Sequence, residues 1–482
     1  MPKMQIAINN VGIIKKSTID VDGLTVIAGA NNSGKSSVGK TVYALIRAVE
    51  SYEVRAAIDR CAYAVRHLRE ISSLFPFSIR NAIKVMTKAA PETDPIKAVF
   101  GDSELLKKVE YPEIDEFLNR FQEALRSLTF NEVKKNVGII WGLIEDSKYT
   151  EKEFESDKAK ALTSFAKIID QINDDPDLKK YVKESIRTQL NVEFANQIAP
   201  AKSPDSLVEI DMVSDGRGCF HVKLKEGDYP KNIENIFEWN PYSSVFYIDD
   251  PFVVEDDWHL PERGSQSEFK TSFLDSRIVL QHREYLKLKL SVSREENMWA
   301  KVQTNEKFKQ IIECLNSVLP GSFVSENNSE FYKGVDGAKL NISNLATGSK
   351  MFSILKKLIA GGLVSERTLL ILDEPECHLH PEWQNRFAEI VVLLVKKVGC
   401  HILLTTHSQN FLLALDAYTR KYQLTEKTNF YQAKSGNDGT VFENVNSKLN
   451  VIYADFLQAF SRMKKFYDEL VYEDSLNKDG IV

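Results

Sequence analysis

Gly29-Ala30-Asn31-Asn32-Ser33-Gly34-Lys35-Ser36-Ser37 is the stretch that decides how this chain is read. Its glycines, lysine and serine fall in the phosphate-binding spacing Gly-x-x-x-x-Gly-Lys-Ser. Just before it stands Leu24-Thr25-Val26-Ile27-Ala28, an apolar run with the length of a buried strand; just after it, residues 38–49 read as a helix. Strand, glycine loop and helix N-terminus in that order bring backbone N–H groups around phosphate oxygens, and the helix dipole favours their negative charge. Gly29, Asn31, Asn32, Ser33, Gly34, Lys35, Ser36 and Ser37 are therefore the candidate nucleotide-binding residues. Lys35 is expected to reach the β- and γ-phosphates, and the Ser36 hydroxyl to ligate Mg²⁺. The bland alternative is a glycine turn without chemistry, and the flanking strand and helix weigh against it. Alone, the loop says only that a nucleotide binds.

The chain has 482 residues, enough for two or three domains, with 43% hydrophobic and 27% charged residues, as in ordinary globular proteins. A net charge of −6 argues against a uniformly basic nucleic-acid binder but leaves room for a local basic groove. No run of eighteen apolar residues is present, so no transmembrane helix or membrane partner is expected. Met1-Pro2-Lys3-Met4-Gln5 lacks an apolar signal core, and Cys61, Cys219, Cys314, Cys377 and Cys400 are scattered without Cys-x-x-Cys spacing. Both features lead us to expect reduced thiols and a cytoplasmic location.

Ile6, Ile8 and Val11, then Ile19, Val21, Leu24 and Val26, alternate in β fashion and predict a strand pair leading into the loop strand. From about residue 41 to 201 the period becomes helical. Ile114, Phe117, Leu118, Phe121, Leu125 and Leu128 form one apolar stripe, and Phe165, Ile168, Ile169 and Ile172 another. Ala90-Pro91-Glu92-Thr93-Asp94-Pro95 and Asp174-Asp175-Pro176-Asp177 end helices, and no heptad persists, so a bundle or short arm is expected rather than a rod. Strands return at 207–210 and 219–224 around the turn Asp215-Gly216-Arg217-Gly218. Residues 244–248 form a buried strand ending in Asp249-Asp250-Pro251, with a polar loop to about residue 272 and helix to about 319. A second hairpin turns at Gly334-Val335-Asp336-Gly337. Beyond it helix and strand alternate to a last helix with Ile452, Phe456, Phe460 and Met463 on one face and a frayed tail at 477–482.

A second half of the nucleotide site lies far downstream. Thr368-Leu369-Leu370-Ile371-Leu372-Asp373-Glu374-Pro375 is an apolar strand ending in two carboxylates. Buried parallel strands present their C-terminal ends to bound phosphate. There Asp373 is placed to hold Mg²⁺ and Glu374 to polarise the attacking water. A core strand capped by solvated acids is the alternative. Cys400-His401-Ile402-Leu403-Leu404-Thr405-Thr406-His407-Ser408 is the next strand. His407 at its end is a candidate γ-phosphate sensor, and Ser408 a cap for the following helix. Asn344-Leu345-Ala346-Thr347-Gly348-Ser349-Lys350 is a small-residue turn at a helix start, a weak signal by itself.

In that order, Gly29 to Ser37, Leu372-Asp373-Glu374-Pro375-Glu376-Cys377-His378-Leu379-His380-Pro381 and Thr405-Thr406-His407-Ser408 resemble the ABC-type ATPases of the SMC, RecF and OLD group. Within it the sequence is similar to the OLD-type ATPases of bacterial anti-phage systems such as Septu and PARIS. The resemblance covers about residues 1–50 and 330–460. It implies an α/β fold: a P-loop ABC-type ATPase head split by a largely helical insert, with antiparallel β-hairpins. The expected parts are an N-terminal core segment at 1–50, a helical insert at 51–205, a hairpin and helical subdomain at 206–330 and a C-terminal core segment at 331–482. It also implies ATP and Mg²⁺ as cofactors, with Ser36 and Asp373 at the metal and Glu374 and His407 as catalytic residues. Its partner would be a second copy in a head-to-tail dimer, or a higher even-numbered oligomer. Ala346, Thr347, Gly348, Ser349 and Lys350 would be the signature that meets the other copy's ATP. Ala346 departs from the serine usual there, which leads us to expect slow turnover suited to a switch. The usual Q-loop glutamine is not evident; Ile248-Asp249-Asp250 is the candidate region.

Cys377, His378 and His380 invite a metal reading, but zinc wants four ligands or an open water position, and the resemblance places this loop at the dimer interface. The function expected is an ATP-gated sensor in an anti-phage complex, controlling a separate effector, a nuclease in this reading, and triggered by a phage protein or nucleic acid. The alternative is a DNA-repair or chromosome-maintenance ATPase that clamps DNA; Lys134-Lys135 and Lys179-Lys180 are sparse support for its basic track. A built-in nuclease would need an acidic triplet after Ser408, and none stands out. A transporter ATPase would be more compact between the loop and the signature.

Overall fold

In the computed structural model of the protein, residues 3–91, 93–101, 114–135, 149–173, 178–224, 240–255, 280–291, 298–326 and 329–478 are described. The chain opens with β1 (Met4–Val11) and β2 (Ile14–Val21), antiparallel from Met4↔Val21 to Val11↔Ile14. Met4, Ile6, Ile8, Val11, Ile19 and Val21 are all buried, as a period of two demands of strands with one face on the core. β3 (Leu24–Ala28) is buried along its whole length, the pattern of a strand covered on both faces. Gly34, at φ 81° in the left-handed region, leads directly into α1 (Lys35–Val49). The helix therefore starts at the loop lysine, three residues before the apolar periodicity that marks it in the sequence.

Ser51–Tyr181 cluster as a compact unit of their own. Its helices are α2 (Tyr52–Ser73), α3 (Phe77–Met86), α4 (Ile114–Ser127), α5 (Phe130–Lys135) and α6 (Glu151–Asn173). Leu118, Phe121, Leu125 and Leu128 of the first apolar stripe are buried in its core, with Phe165 and Ile168 of the second. Phe75 meets Phe154 at 5.8 Å between ring centroids, and Phe121 meets Phe165 at 5.4 Å. Each such fully buried ring stabilises the unit by about 1.5–3 kcal/mol. Two reciprocal capping boxes start α5 and α6: Thr129 with Glu132, and Thr150 with Glu153. The break at Asp174-Asp175-Pro176-Asp177 lies outside the described residues.

The other unit takes Met1–Glu50 and, from Val182 on, almost all of the remaining chain. α7 (Leu178–Glu193) leads to β4 (Val208–Ser214) and β5 (Arg217–Leu224). Their turn is only Asp215-Gly216, both at positive φ, which is tighter than the four-residue turn expected. β6 (Ser244–Ile248) ends at Asp249; Asp250 then caps a short 3₁₀ turn by accepting from the Phe252 N–H at 2.8 Å. The polar loop expected up to residue 272 lies outside the described residues from 256 on. α8 (His282–Ser291) and α9 (Met298–Val318) precede a small sheet of β7 (Gly321–Glu326), β8 (Ser329–Gly334) and β9 (Lys339–Asn341). α10 (Thr347–Ala360), β10 (Thr368–Asp373), α11 (Pro381–Leu393), β11 (His401–Thr406) and α12 (Gln409–Lys421) alternate as expected. β12 (Thr428–Gly436), β13 (Gly439–Asn444) and α13 (Leu449–Lys478) follow. On α13, Ile452 is buried, but Met463 is exposed together with Phe466, Tyr467 and Leu470. The side chains of Phe456 and Phe460 lie outside the described residues, as does the tail from 479.

Among the described residues ten strands form one sheet in the order β5-β4-β1-β2-β13-β12-β3-β11-β10-β6. β12, β3, β11, β10 and β6 are mutually parallel; the hairpins β1–β2, β4–β5 and β12–β13 are antiparallel. The fold is thus α/β with antiparallel hairpins. The register sets Ala28 beside Thr406, Thr405 beside Asp373, and Leu372 beside Ile248, so four strands end on one edge. Ligands of open parallel sheets bind beyond that edge. Among the described residues no helix is long and apolar enough to cross a membrane.

Candidate active site

The glycine loop spans the end of β3 and the start of α1. Gly29 donates its N–H to the Thr406 carbonyl at 3.3 Å, and a Cβ at Gly29 would sit 2.7 Å from the Ala433 Cβ. Asn32, at φ 58°, and Gly34 carry the left-handed turns that point the loop backbone inward. The Lys35 ammonium is buried, donates to the carbonyls of Gly29 at 3.1 Å and Ala30 at 2.9 Å, and lies 3.2 Å from Glu374 Oε1. Gly39 lets α1 lie close on the sheet: a Cβ there would meet the Tyr247 ring at 2.8 Å and Ile371 at 3.0 Å. Gly39→Ala should lower the melting temperature. Overpacking costs about 1–3 kcal/mol, against the ~1 kcal/mol that alanine gains in a helix. An unchanged melt would show that the helix and ring shift freely.

Asp373 ends β10 with both oxygens occupied. Oδ2 accepts from the Tyr247 hydroxyl at 2.7 Å, and Oδ1 accepts from Thr405 Oγ1. The carboxylate is therefore held in one orientation. Glu374, next in the chain, sits at φ 49°, a left-handed conformation that only glycine adopts readily. Its N–H is fixed by the Thr405 carbonyl at 3.2 Å and Thr405 Oγ1 at 3.1 Å. Burial raises the Glu374 carboxyl, but Lys35 and then His407 outweigh it and hold the group below the ordinary carboxylate range. His407 Nδ1 lies 3.1 Å from Glu374 Oε2, at ion-pair distance but off the line of a hydrogen bond. Glu376, nearly fully buried, accepts from Thr406 Oγ1 at 2.5 Å and from the His407 N–H at 3.2 Å, fixing the turn that carries the histidine. Ser408 caps α12 by accepting from the Phe411 N–H.

Asp249, from the candidate Q-loop region, lines the same cavity at the end of β6. Its carboxylate already faces other partners. His282 Nε2 lies 3.1 Å away, and Arg283 donates to both oxygens. On its other side the His282 ring meets Glu193 Oε2 at 2.6 Å, and its edge lies on Tyr247 with 4.4 Å between ring centres. Burial alone would raise the Asp249 carboxyl, yet the bonds from His282 and Arg283 hold it at about 2. Burial alone would lower the His282 imidazole, yet Asp249 and Glu193 outweigh it and raise it. This carboxylate–imidazole–carboxylate chain backs Tyr247, and through Tyr247 it backs Asp373. Thr405 belongs to the Thr-Thr-His-Ser run already quoted, but no motif points to Tyr247, Glu193 or His282; each comes from a strand or helix without a recognisable spacing.

The turn before α10 divides the candidate signature residues between surface and core. Ala346 is exposed and caps the helix without a side-chain bond, and Thr347 lines the cavity beside the P-loop. Gly348 is buried against the loop after β10, where a Cβ would lie 3.1 Å from the His378 carbonyl. Ser349 and Lys350 are buried as well. The Lys350 ammonium pairs with Glu255, donates to the Ser343 carbonyl at 3.0 Å and lies 5.2 Å over the Phe252 ring. Of these five residues Ala346 is exposed and Thr347 lines the cavity, whereas Ser349 and Lys350 sit on the helix face turned to the core. Cys377, His378 and His380 do not converge either. His380 caps α11, and His378 packs edge-on against Phe252.

The P-loop, Asp373, Glu374, Thr347 and Asp249 line one cavity of about 620 Å³. Its buried lysine, left-handed glycine loop and oriented Asp373 beside the Ser36 position fit a nucleoside triphosphate with Mg²⁺. Residues 3–412 match the family model described as AAA ATPase domain. Among solved structures the chain is similar to the SMC head domain from Thermotoga maritima, at 13% identity and a TM-score of 0.35, with 92% of this chain and 99% of that one covered. A Pyrococcus yayanosii Smc head domain with a coiled coil and joint aligns at 12% identity and a TM-score of 0.34, covering 95% and 100%. Likeness at that level says nothing of partners or substrates. The family model, by contrast, spans most of the chain: this protein belongs to the AAA ATPase domain family and is an ATPase.

Proposed function

We propose that the chain is an ATP-gated switch of the ABC type, closing head to tail with a second copy and turning over slowly. The observation that carries this reading is the 3.2 Å ion pair between Lys35 and Glu374. Without nucleotide, the loop cation and the water-polarising carboxylate neutralise each other. An arriving triphosphate competes for Lys35, and the carboxylate is released toward the γ-phosphate side. Lys35, the loop N–H groups and Ser36 bind the phosphates; Ser36 and Asp373, the latter held by Tyr247 and Thr405, would hold Mg²⁺. When bound, that ion supplies charge neutralisation at the β- and γ-oxygens. Glu374 orients water, and His407, about a third exposed, senses the γ-phosphate. The exposed, uncapped start of α10 at Ala346-Thr347 is suited to a second copy's phosphate through backbone N–H groups, in place of the missing serine hydroxyl.

The biological setting we propose is an anti-phage complex in which closure controls a separate nuclease effector, in response to a phage protein or nucleic acid. It rests on the resemblance carried by residues 372–381 and 405–408. Among the described residues, those after Ser408 are largely taken up by α12, β12, β13 and α13, and β12 and β13 belong to the main sheet. Two measurements test the proposal. Sedimentation with ATP and Mg²⁺ should double the mass of the wild-type chain but not of Lys35→Ala; a mass indifferent to ATP excludes gating by dimer closure. Cells carrying the chain with its neighbouring genes should resist phage plating, and Lys35→Ala should lose that resistance. Equal plating with and without the intact genes would exclude the defence role and turn attention to DNA binding.

A further inference from the structure

We propose a second, inhibitory metal site made by Glu374, Cys377 and His407, selective for zinc over magnesium. Three donor atoms from three positions in the fold converge there: the residue after β10, the turn that follows, and the residue after β11. Cys377 Sγ lies 3.7 Å from Glu374 Oε2, His407 Nδ1 lies 3.1 Å from the same oxygen, and all three atoms fall within 4.8 Å of one another. Zinc–donor bonds of about 2.0–2.3 Å at tetrahedral angles put neighbouring donors roughly 3.3–3.6 Å apart. Both separations from Glu374 Oε2 already stand near those values. The His407 Nδ1 atom is buried and its one close polar contact is the Glu374 carboxylate, without hydrogen-bond alignment, so a metal between them would replace that contact with bonds to both groups.

The donor types choose the ion. Thiolate and imidazole suit zinc, whereas magnesium prefers all-oxygen ligands and holds its waters. Three protein donors leave a fourth tetrahedral position for water, the arrangement of open zinc sites. Lys35 faces Oε1 of Glu374 and the thiol faces Oε2, so the carboxylate can serve the metal through one oxygen while the other keeps its ion pair. Cys377 is exposed, so the ion can arrive from solvent. At rest the thiol carries its proton and donates it toward Glu374 Oε2. Metal uptake forms the Zn–S bond and releases that proton to solvent. No electron is transferred. Once seated, the ion occupies both the Glu374 oxygen and the His407 nitrogen. That arrests hydrolysis but leaves the P-loop open, so bound zinc would hold the switch with ATP uncleaved. Metal binding itself does not depend on the proposed role of Glu374; the inhibition does.

The test uses Co²⁺ alone on the nucleotide-free chain, then Zn²⁺ in the ATPase assay with Mg²⁺–ATP in excess. Wild type should develop a thiolate-to-cobalt charge-transfer band that Zn²⁺ displaces, and Cys377→Ser should not. Zinc should inhibit wild-type turnover and a zinc-selective chelator restore it. Cys377→Ser should keep its basal rate and need at least about tenfold more zinc for the same inhibition. A wild type without the band, or equal zinc sensitivity in the two proteins, overturns the site. A band with undiminished turnover upholds the metal site and instead removes Glu374 and His407 from the hydrolytic step.

Discussion

Glu374→Gln should hydrolyse ATP about 10²–10⁴-fold more slowly than the wild type and still bind it. Glutamine keeps the shape of the side chain and loses its capacity to take a proton. The variant carries a second, less obvious consequence. In the nucleotide-free chain Glu374 competes with phosphate for Lys35 across 3.2 Å. With a neutral amide there, the ammonium has no such partner, and ATP should bind at least as tightly as to the wild type. Equilibrium dialysis with labelled ATP measures the binding, and single-turnover phosphate release measures the step. Turnover close to the wild-type rate would remove Glu374 as the base. Markedly weaker ATP binding would instead mean that the ion pair organises the loop rather than restraining it.

His282→Ala should destabilise the sheet-containing unit by about 3–5 kcal/mol, the cost of breaking a buried ion pair by removing one partner. The ring stands between Glu193 and Asp249, and its removal leaves two carboxylates in a buried site, one of them with no cation in contact. Denaturant titration reads the loss as a lower midpoint. The effect should depend on pH in a stated direction. His282 is raised above its ordinary 6.5, so its contribution is fully present below about pH 6.5 and fades as pH rises through the higher folded value. Asp249 is lowered from 3.8 to about 2, so its contribution is present above about pH 4 and fades as pH falls toward 2. The gap between wild type and variant should therefore be widest between about pH 4 and 6.5. A gap that stays constant through pH 9 would mean that the ring contributes packing rather than charge. Because Tyr247 lies against this ring and orients Asp373, the variant should also lose activity while still folded at low denaturant.

Much of the nucleotide edge was legible in the sequence because local chemistry writes it there. The loop at 29–37 needs glycine to turn, and β10 and β11 announce themselves as apolar runs that end in acids and in Thr-Thr-His. The supporting groups were not legible. Tyr247 meets Asp373 across 126 residues, and Glu193 meets His282 across 89, with no shared spacing to connect them. The surroundings of the turn before α10 were hidden for a related reason. Ser349 and Lys350 entered as signature residues through the resemblance alone; in the fold Met351, Phe352 and Leu355 turn that end of the helix inward, and Glu255 takes up the lysine charge. The capping boxes Thr129-x-x-Glu132 and Thr150-x-x-Glu153 were open to view and would have placed the starts of α5 and α6 without any structure.

The sheet order has a consequence for how the protein is made. β3, the strand that carries the P-loop, is flanked by β11 and β12, whose residues lie about 380 and about 400 positions further along the chain. At roughly 5–20 residues per second, the ribosome needs on the order of 20–75 s to deliver them. Through that interval an apolar strand waits with both edges open, while the helices of Ser51–Tyr181, which pack mainly on one another, are already made. Nucleotide cannot assist early folding, because half of its site has not been synthesised. Long-range parallel pairing of this kind is slow and exposed to aggregation, so chaperone supply and growth temperature should govern the yield of active protein more than the strength of its promoter does.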